Sequence, residues 1–132
     1  MQGLHLTADL HHCRCGPVLL EQAEPIAVLC RTQARNAGLT VVDERWHSFA
    51  PRGGRPAGVT GMLLLAESHL ALHTWPEQGH VTLDVFVCNL NHDNSAKAEA
   101  LMRALLAAYQ PQQLQQHRLQ RGVPHIAAGA VP

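Results

Sequence analysis

Several things are scarce in this sequence, and each shortage closes off a class of function. There is no basic surplus: ten Lys plus Arg stand against ten Asp plus Glu, for a formal net charge of zero. A protein that grips nucleic acid by neutralising phosphates needs excess positive charge, so no nucleic-acid partner is expected. No apolar run approaches the roughly 18 residues of a membrane helix, and no membrane partner is expected either. The run Met62 to Ala66 is strand-sized. The N-terminal MQGLHLTADL lacks the basic-then-apolar pattern of a secretory signal. Four cysteines (Cys13, Cys15, Cys30, Cys88) fit a reduced, cytoplasmic protein better than a disulfide scaffold. Charged residues make up only 15% against 46% hydrophobic, which excludes disorder as the dominant state. Aromatics are few: Trp46, Phe49, Trp75, Phe86 and Tyr109. What is abundant is histidine, with ten in 132 residues. The chain has room for one domain, 1–132, with no internal repeat or boundary, and a domain this small gains by burying surface against a partner.

Leu4, Leu6, Ala8 and Leu10 alternate with His5, Thr7 and Asp9, the period of a half-buried strand. A helical pattern runs from Pro17 to Ala37, with Pro25 expected to kink it or start a new segment and Gly38 placed to end it. Residues 39–49 read as a second strand, and APRGGRPAG, 50–58, as a flexible loop. Strands follow over Val59–Ala66, His69–Trp75 and His80–Cys88, with a turn at Pro76–Gly79. Asn94–Tyr109 is an amphipathic helix, Leu114–Leu119 a short last strand, and the tail is expected to be loose. The order β-α-β-β-β-β-α-β predicts an α/β fold of α+β type. It is a two-layer sandwich, a mainly antiparallel sheet with its helices on one face.

Parity sorts the chemistry. Leu70 and Leu72, with Val81, Leu83, Val85 and Val87, make an aliphatic face for the helices. His69, His73, Trp75, Asp84, Phe86 and Cys88 fall on the other, an odd mixture for open water. Either a second sheet from another copy covers this face, with a reaction site in the cleft, or it is a mixed surface with a satisfied histidine and an inert thiol.

The block GVTGMLLLAESHLALHTWPEQGHVTLDVFVCN, Gly58 to Asn89, resembles the bacterial and archaeal S-adenosylmethionine decarboxylases, pyruvoyl enzymes made by self-cleavage of a proenzyme. The likeness is carried by Glu67-Ser68-His69, by His73-Thr74-Trp75-Pro76-Glu77, and by Asp84-Val85-Phe86 leading to Cys88. It extends more weakly over most of the chain. It implies cleavage between Glu67 and Ser68 into 1–67 and 68–132, with Ser68 becoming a pyruvoyl group that forms a Schiff base with the substrate amine. His73 matches the base that takes the Ser68 α-proton. Cys88 matches the acid that returns a proton to the substrate carbon. Thr60 stands where relatives carry serine, as a hydroxyl supporting processing. Phe49 and Trp75 match aromatics that sandwich adenine, and Glu77 matches a ribose-binding carboxylate. The resemblance further implies S-adenosylmethionine as substrate, supplying the aminopropyl donor for spermidine synthesis. It also implies a homodimer paired through the sheets, and neither a metal nor pyridoxal phosphate.

Bland readings stand beside these: Ser68 a turn serine, His73 a structural histidine, Cys88 a buried thiol, Phe49 core, Trp75 an interface anchor, Glu77 a solvated turn residue. The same chemistry would serve an arginine or ornithine decarboxylase, and an uncleaved regulatory homologue is a third possibility. Arg52 and Arg55 are either solvated charges or a clamp for the substrate carboxylate. His11-His12-Cys13-x-Cys15 offers soft metal ligands, but no distant paired motif completes a site.

Overall fold

The structure, a computed structural model, describes residues 1–122 and 124. The expectation of a loose tail falls almost wholly on residues outside that range. In chain order the elements are β1 (Gly3–His11), α1 (Val18–Glu21), α2 (Ala23–Asn36), β2 (Val41–Ser48), β3 (Val59–Leu65) and β4 (Ser68–Trp75). A 3-10 turn (Pro76–Gln78), β5 (His80–Cys88), α3 (Ser95–Tyr109) and β6 (Gln113–Arg121) follow. The six strands form one sheet in the order β2-β3-β4-β5-β1-β6, every neighbouring pair antiparallel.

Strict alternation builds two unlike faces. Leu4, Leu6, Ala8 and Leu10 of β1, Leu70 and Leu72 of β4, and Val81, Leu83, Val85 and Val87 of β5 are buried. They form one core with Ile26, Cys30 and Ala34 of α2 and Ala98, Leu101, Met102, Leu105 and Tyr109 of α3. The helices therefore cover one side only, as the alternation predicts.

The long helical pattern is two helices. Gln22 leaves helical geometry (φ −114°, ψ 118°) and α2 begins at the next residue. Pro25 then lies in the first turn of α2, where a missing N–H costs little. Gly38, at φ 91°, ends α2 with a Schellman pattern: its N–H donates to Arg35 O (2.9 Å) and Leu39 N–H to Ala34 O (3.0 Å). The last strand is longer than its apolar residues suggest, because β6 pairs with β1 along all of Gly3–His11. Its outer edge is free among the described residues, and its side chains are all exposed and, apart from Leu114 and Leu119, polar.

Two glycines of the block after the loop admit close neighbours. A Cβ at Gly58 would fall 1.8 Å from Thr74 O, and one at Gly61 would fall 1.8 Å from the Trp46 ring. Thr74 itself is buried and holds three elements together. Its Oγ1 donates to Leu20 O of α1 (2.7 Å) and accepts from the Val59 N–H of β3 (2.9 Å). The end of β4 that carries His73 and Trp75 is thus clamped.

Candidate active site

β3 and β4 are joined by a two-residue turn, Ala66–Glu67, with Leu65 paired to Ser68. Glu67 takes φ 55°, a left-handed conformation that costs a residue with a Cβ about 1–2 kcal/mol. The peptide after it, Glu67–Ser68, is the one the resemblance marks for cleavage. Ser68 Oγ does not point freely into solvent: it accepts a hydrogen bond from Cys88 N–H at 3.1 Å. Cys88, buried at the end of β5, is fixed in turn, its carbonyl accepting from Asn94 Nδ2 at 2.8 Å. Glu67, Ser68 and Cys88 therefore meet at the start of β4.

A second group gathers at the far end of the strand. Thr60 and His73 are direct partners across β3 and β4, with Oγ1 3.0 Å from Nδ1. They line a cavity of about 690 Å³ together with Phe49, Trp75 and Glu77, within the usual size range of small-molecule pockets. Phe49 and Trp75 are 51% and 38% exposed, so these rings are available to a ligand. The reading of Phe49 as core is thereby corrected. Glu77 enters from the 3-10 turn, closed by Gly79 in a left-handed conformation (φ 59°).

The loop also differs from expectation. Residues 50–58 extend the β2–β3 hairpin: Phe49 N–H donates to Gly58 O (3.0 Å), and Arg52 and Arg55 exchange backbone hydrogen bonds (3.0 and 2.9 Å). Gly53 (φ 56°) and Gly54 (φ 74°) make the tight turn between them. Positive φ at both turn residues matches the twist of the flanking strands, which splayed turns would not. Arg52, Arg55, Pro56 and Ala57 form a wall of the cavity.

The two groups do not meet within one chain. Ser68 and His73 stand five positions apart on β4, about 16 Å along an extended strand. A base at His73 and a reacting atom at Ser68 of the same copy are out of reach of each other.

Beside Ser68, His5 and Arg121 join the His69, Asp84 and Phe86 that strand parity had already placed on one face. Arg121 donates to His5 Nδ1 (3.0 Å), which leaves the ring proton on Nε2, 3.4 Å from Asp84 Oδ1. His69 packs against both His5 (centroids 6.1 Å apart) and Phe86 (5.7 Å). Burial, followed by the neighbouring His5 charge, lowers the His69 pKa below that of a free imidazole. The signal was present as His5 on the polar parity of the first strand, but only the placement of β1 between β5 and β6 brings it to His69.

The His11-His12-Cys13-x-Cys15 run is spread out by the fold. His11 stacks on His80 with centroids 4.6 Å apart, and the Cys13 thiol is pushed up to about 11, chiefly by burial. No group of three or more His, Cys, Asp or Glu among the described residues is placed to hold a metal ion.

The family described as S-adenosylmethionine decarboxylase matches residues 4–122. The chain is 39% identical over 108 residues to the S-adenosylmethionine decarboxylase proenzyme of Parasynechococcus marenigrum, covering 82% of this chain and 78% of that one. It is 32% identical over 121 residues to the proenzyme of the same name from Aquifex aeolicus, covering 92% and 82%. The crystal structure of the adenosylmethionine decarboxylase from Aquifex aeolicus superposes with a TM-score of 0.78 at 30% identity, over 93% of this chain and 92% of that one. The chain belongs to the S-adenosylmethionine decarboxylase family.

Proposed function

We propose that this protein decarboxylates S-adenosylmethionine with a pyruvoyl group made from its own Ser68, yielding the aminopropyl donor for spermidine synthesis. The observation that carries the reading is the split arrangement on β4. A serine on a strained turn beside Cys88 lies at one end, and a histidine–hydroxyl pair in an aromatic-walled cavity at the other.

Processing is chemistry of the chain itself. Ser68 Oγ attacks the Glu67 carbonyl carbon and the amide becomes an ester, which releases the left-handed turn. A base then takes the Ser68 α-proton and the Glu67 carboxylate leaves with residues 1–67. The dehydroalanine left at 68 takes up water and loses ammonia, giving a pyruvoyl terminus on 68–132. The ketone then supplies the electron sink that loss of carbon dioxide from an amine-bearing carbon requires.

The base is His73 of a second copy. The sheet face away from the helices carries exposed apolar side chains, Met62 (39% exposed) and Leu64 (44%) on β3, Trp75 on β4 and Leu119 (48%) on β6, which a second copy would cover. A two-fold pairing of these faces, β4 running against β4, lays the His73 end of one copy over the Ser68 end of the other. Two equivalent sites result. In each, Thr60 orients His73, Cys88 Sγ holds the proton returned to the substrate carbon, Phe49 and Trp75 stack the adenine, and Glu77 accepts from the ribose hydroxyls. All four cysteines are free, which suits a reducing compartment such as the cytoplasm. No helix among the described residues is long and apolar enough to cross a membrane.

The test joins an intact-mass spectrum to an assay. Two fragments divided between Glu67 and Ser68, with carbon dioxide released from S-adenosylmethionine and not from arginine or ornithine, are the expected result. A single uncleaved mass after long incubation overturns the enzyme reading; release from arginine or ornithine alone overturns the substrate.

A further inference from the structure

The wall formed by residues 50–58 carries charge that a substrate of this kind does not call for. Arg52 and Arg55 line the same cavity as Phe49, Trp75 and Glu77. Among the described residues, neither guanidinium has a carboxylate within ion-pair distance. The two are carried on a hydrogen-bonded turn, not on a slack loop, so their backbones are held in place. S-adenosylmethionine brings a sulfonium and an ammonium against one carboxylate, and with two arginines set against the single carboxylate of Glu77 the cavity does not favour a net cation. Nor is the carboxylate a sensible partner. It is the group that leaves, and a guanidinium clamp would stabilise it in the ground state more than in the transition state and slow the reaction. What two arginine forks match is a phosphate or diphosphate, which they bind bidentately.

We propose that the Arg52–Arg55 hairpin makes this cavity a site for anionic adenine nucleotides, with the base on Phe49 and Trp75, the ribose on Glu77 and the phosphates on the two guanidiniums. Such a ligand excludes the cationic substrate from the same pocket, so the reaction slows when adenine nucleotide is plentiful. The proposal rests on the reading of Phe49, Trp75 and Glu77 as a nucleoside pocket.

Calorimetric titration of the processed protein with adenosine, adenosine diphosphate and inorganic pyrophosphate separates the two claims. The diphosphate is expected to bind roughly tenfold or more tighter than adenosine, and pyrophosphate more weakly than the diphosphate. The double substitution Arg52→Gln/Arg55→Gln, folded by circular dichroism, should bring the diphosphate to the affinity of adenosine and leave adenosine where it was. In the unsubstituted protein, added salt should erode the diphosphate advantage and spare adenosine. Adenosine binding with no gain from the diphosphate overturns this proposal alone. A gain that survives the double substitution or salt also overturns it, and so does pyrophosphate binding as tightly as the nucleotide. Binding of neither adenosine nor the diphosphate overturns the nucleoside pocket and this proposal together.

Discussion

Thr60 and His73 face each other directly across β3 and β4, the hydroxyl oxygen 3.0 Å from Nδ1. When Nδ1 donates its proton to Thr60, Nε2 is left with a free lone pair and becomes the basic nitrogen; the hydroxyl thereby selects the tautomer. Thr60→Val keeps the shape and deletes the acceptor, and should slow cleavage about tenfold or more. Thr60→Ser should process at least as fast as the unsubstituted chain, because a serine rotates more freely. Fragment formation over time, followed by mass, reads both. Undiminished cleavage in Thr60→Val would remove the hydroxyl from the machinery.

The separation of Ser68 from His73 along β4 makes a second expectation. Ser68→Ala and His73→Ala chains should each remain uncleaved when produced alone. Produced together, they should form mixed dimers in which the His73→Ala chain keeps its serine and borrows the partner's base. That chain, and only that chain, should then be cut. Failure of the mixture to cleave would place the base elsewhere.

Cys88 holds its proton next to the reacting carbon in the proposed arrangement. Cys88→Ala should depress turnover by about a hundredfold and still bind substrate, measured as kcat against binding affinity. Unchanged product formation would take the thiol out of the acid role.

His69 carries a sign that can be worked out. Its folded pKa lies below the unfolded value near 6.5 because burial, and then the His5 charge, disfavour the imidazolium. Between the two values the unfolded chain binds more protons, so stability rises with pH in that window. It is lost as the pH falls from about 6.5 through the lowered folded value. The groups facing His69 are His5 of β1, Asp84 and Phe86 of β5, and Arg121 of β6. Urea midpoints at pH 5 and pH 7 should differ less in His69→Gln than in the unsubstituted protein; an equal difference would refute the assignment.

Thr74→Val removes a hydroxyl that satisfies two buried backbone groups, Leu20 O and the Val59 N–H. Leaving them unpaired should cost about 1–3 kcal/mol for each group, read from the denaturant midpoint. Because Thr74 adjoins His73 and Trp75, cavity geometry should loosen as well.

Much of this was legible in the chain. Five of the six strands were placed closely, and in β1, β3, β4 and β5 one buried face enforces period two. The aliphatic parity of β4 and β5 foretold which side the helices take. β6 was underestimated because an edge strand with exposed side chains carries no apolar pattern; its backbone pairing with β1 defines it. The Arg-Gly-Gly-Arg turn read as loose because glycine and proline signal loops generally, whereas two positive-φ glycines between paired arginines specify a hairpin. The site residues were named by motif, but their division between the two ends of β4 was not. Sequence adjacency hides the distance that an extended strand covers, and His5 reaches His69 only through a long-range strand order.

The strand order has one more consequence. After a cut between Glu67 and Ser68, β1, β2 and β3 belong to the first piece and β4, β5 and β6 to the second, yet in the sheet they run β2-β3, β4-β5, β1, β6. Three strand seams, β3–β4, β5–β1 and β1–β6, then join separate molecules. The pieces stay laced together, so maturation costs the folded sheet little. Unfolding is another matter. The uncut chain carries all six strands in one molecule, whereas the cut pieces must first find each other, so their recovery from denaturant should depend more steeply on protein concentration than that of the uncut chain.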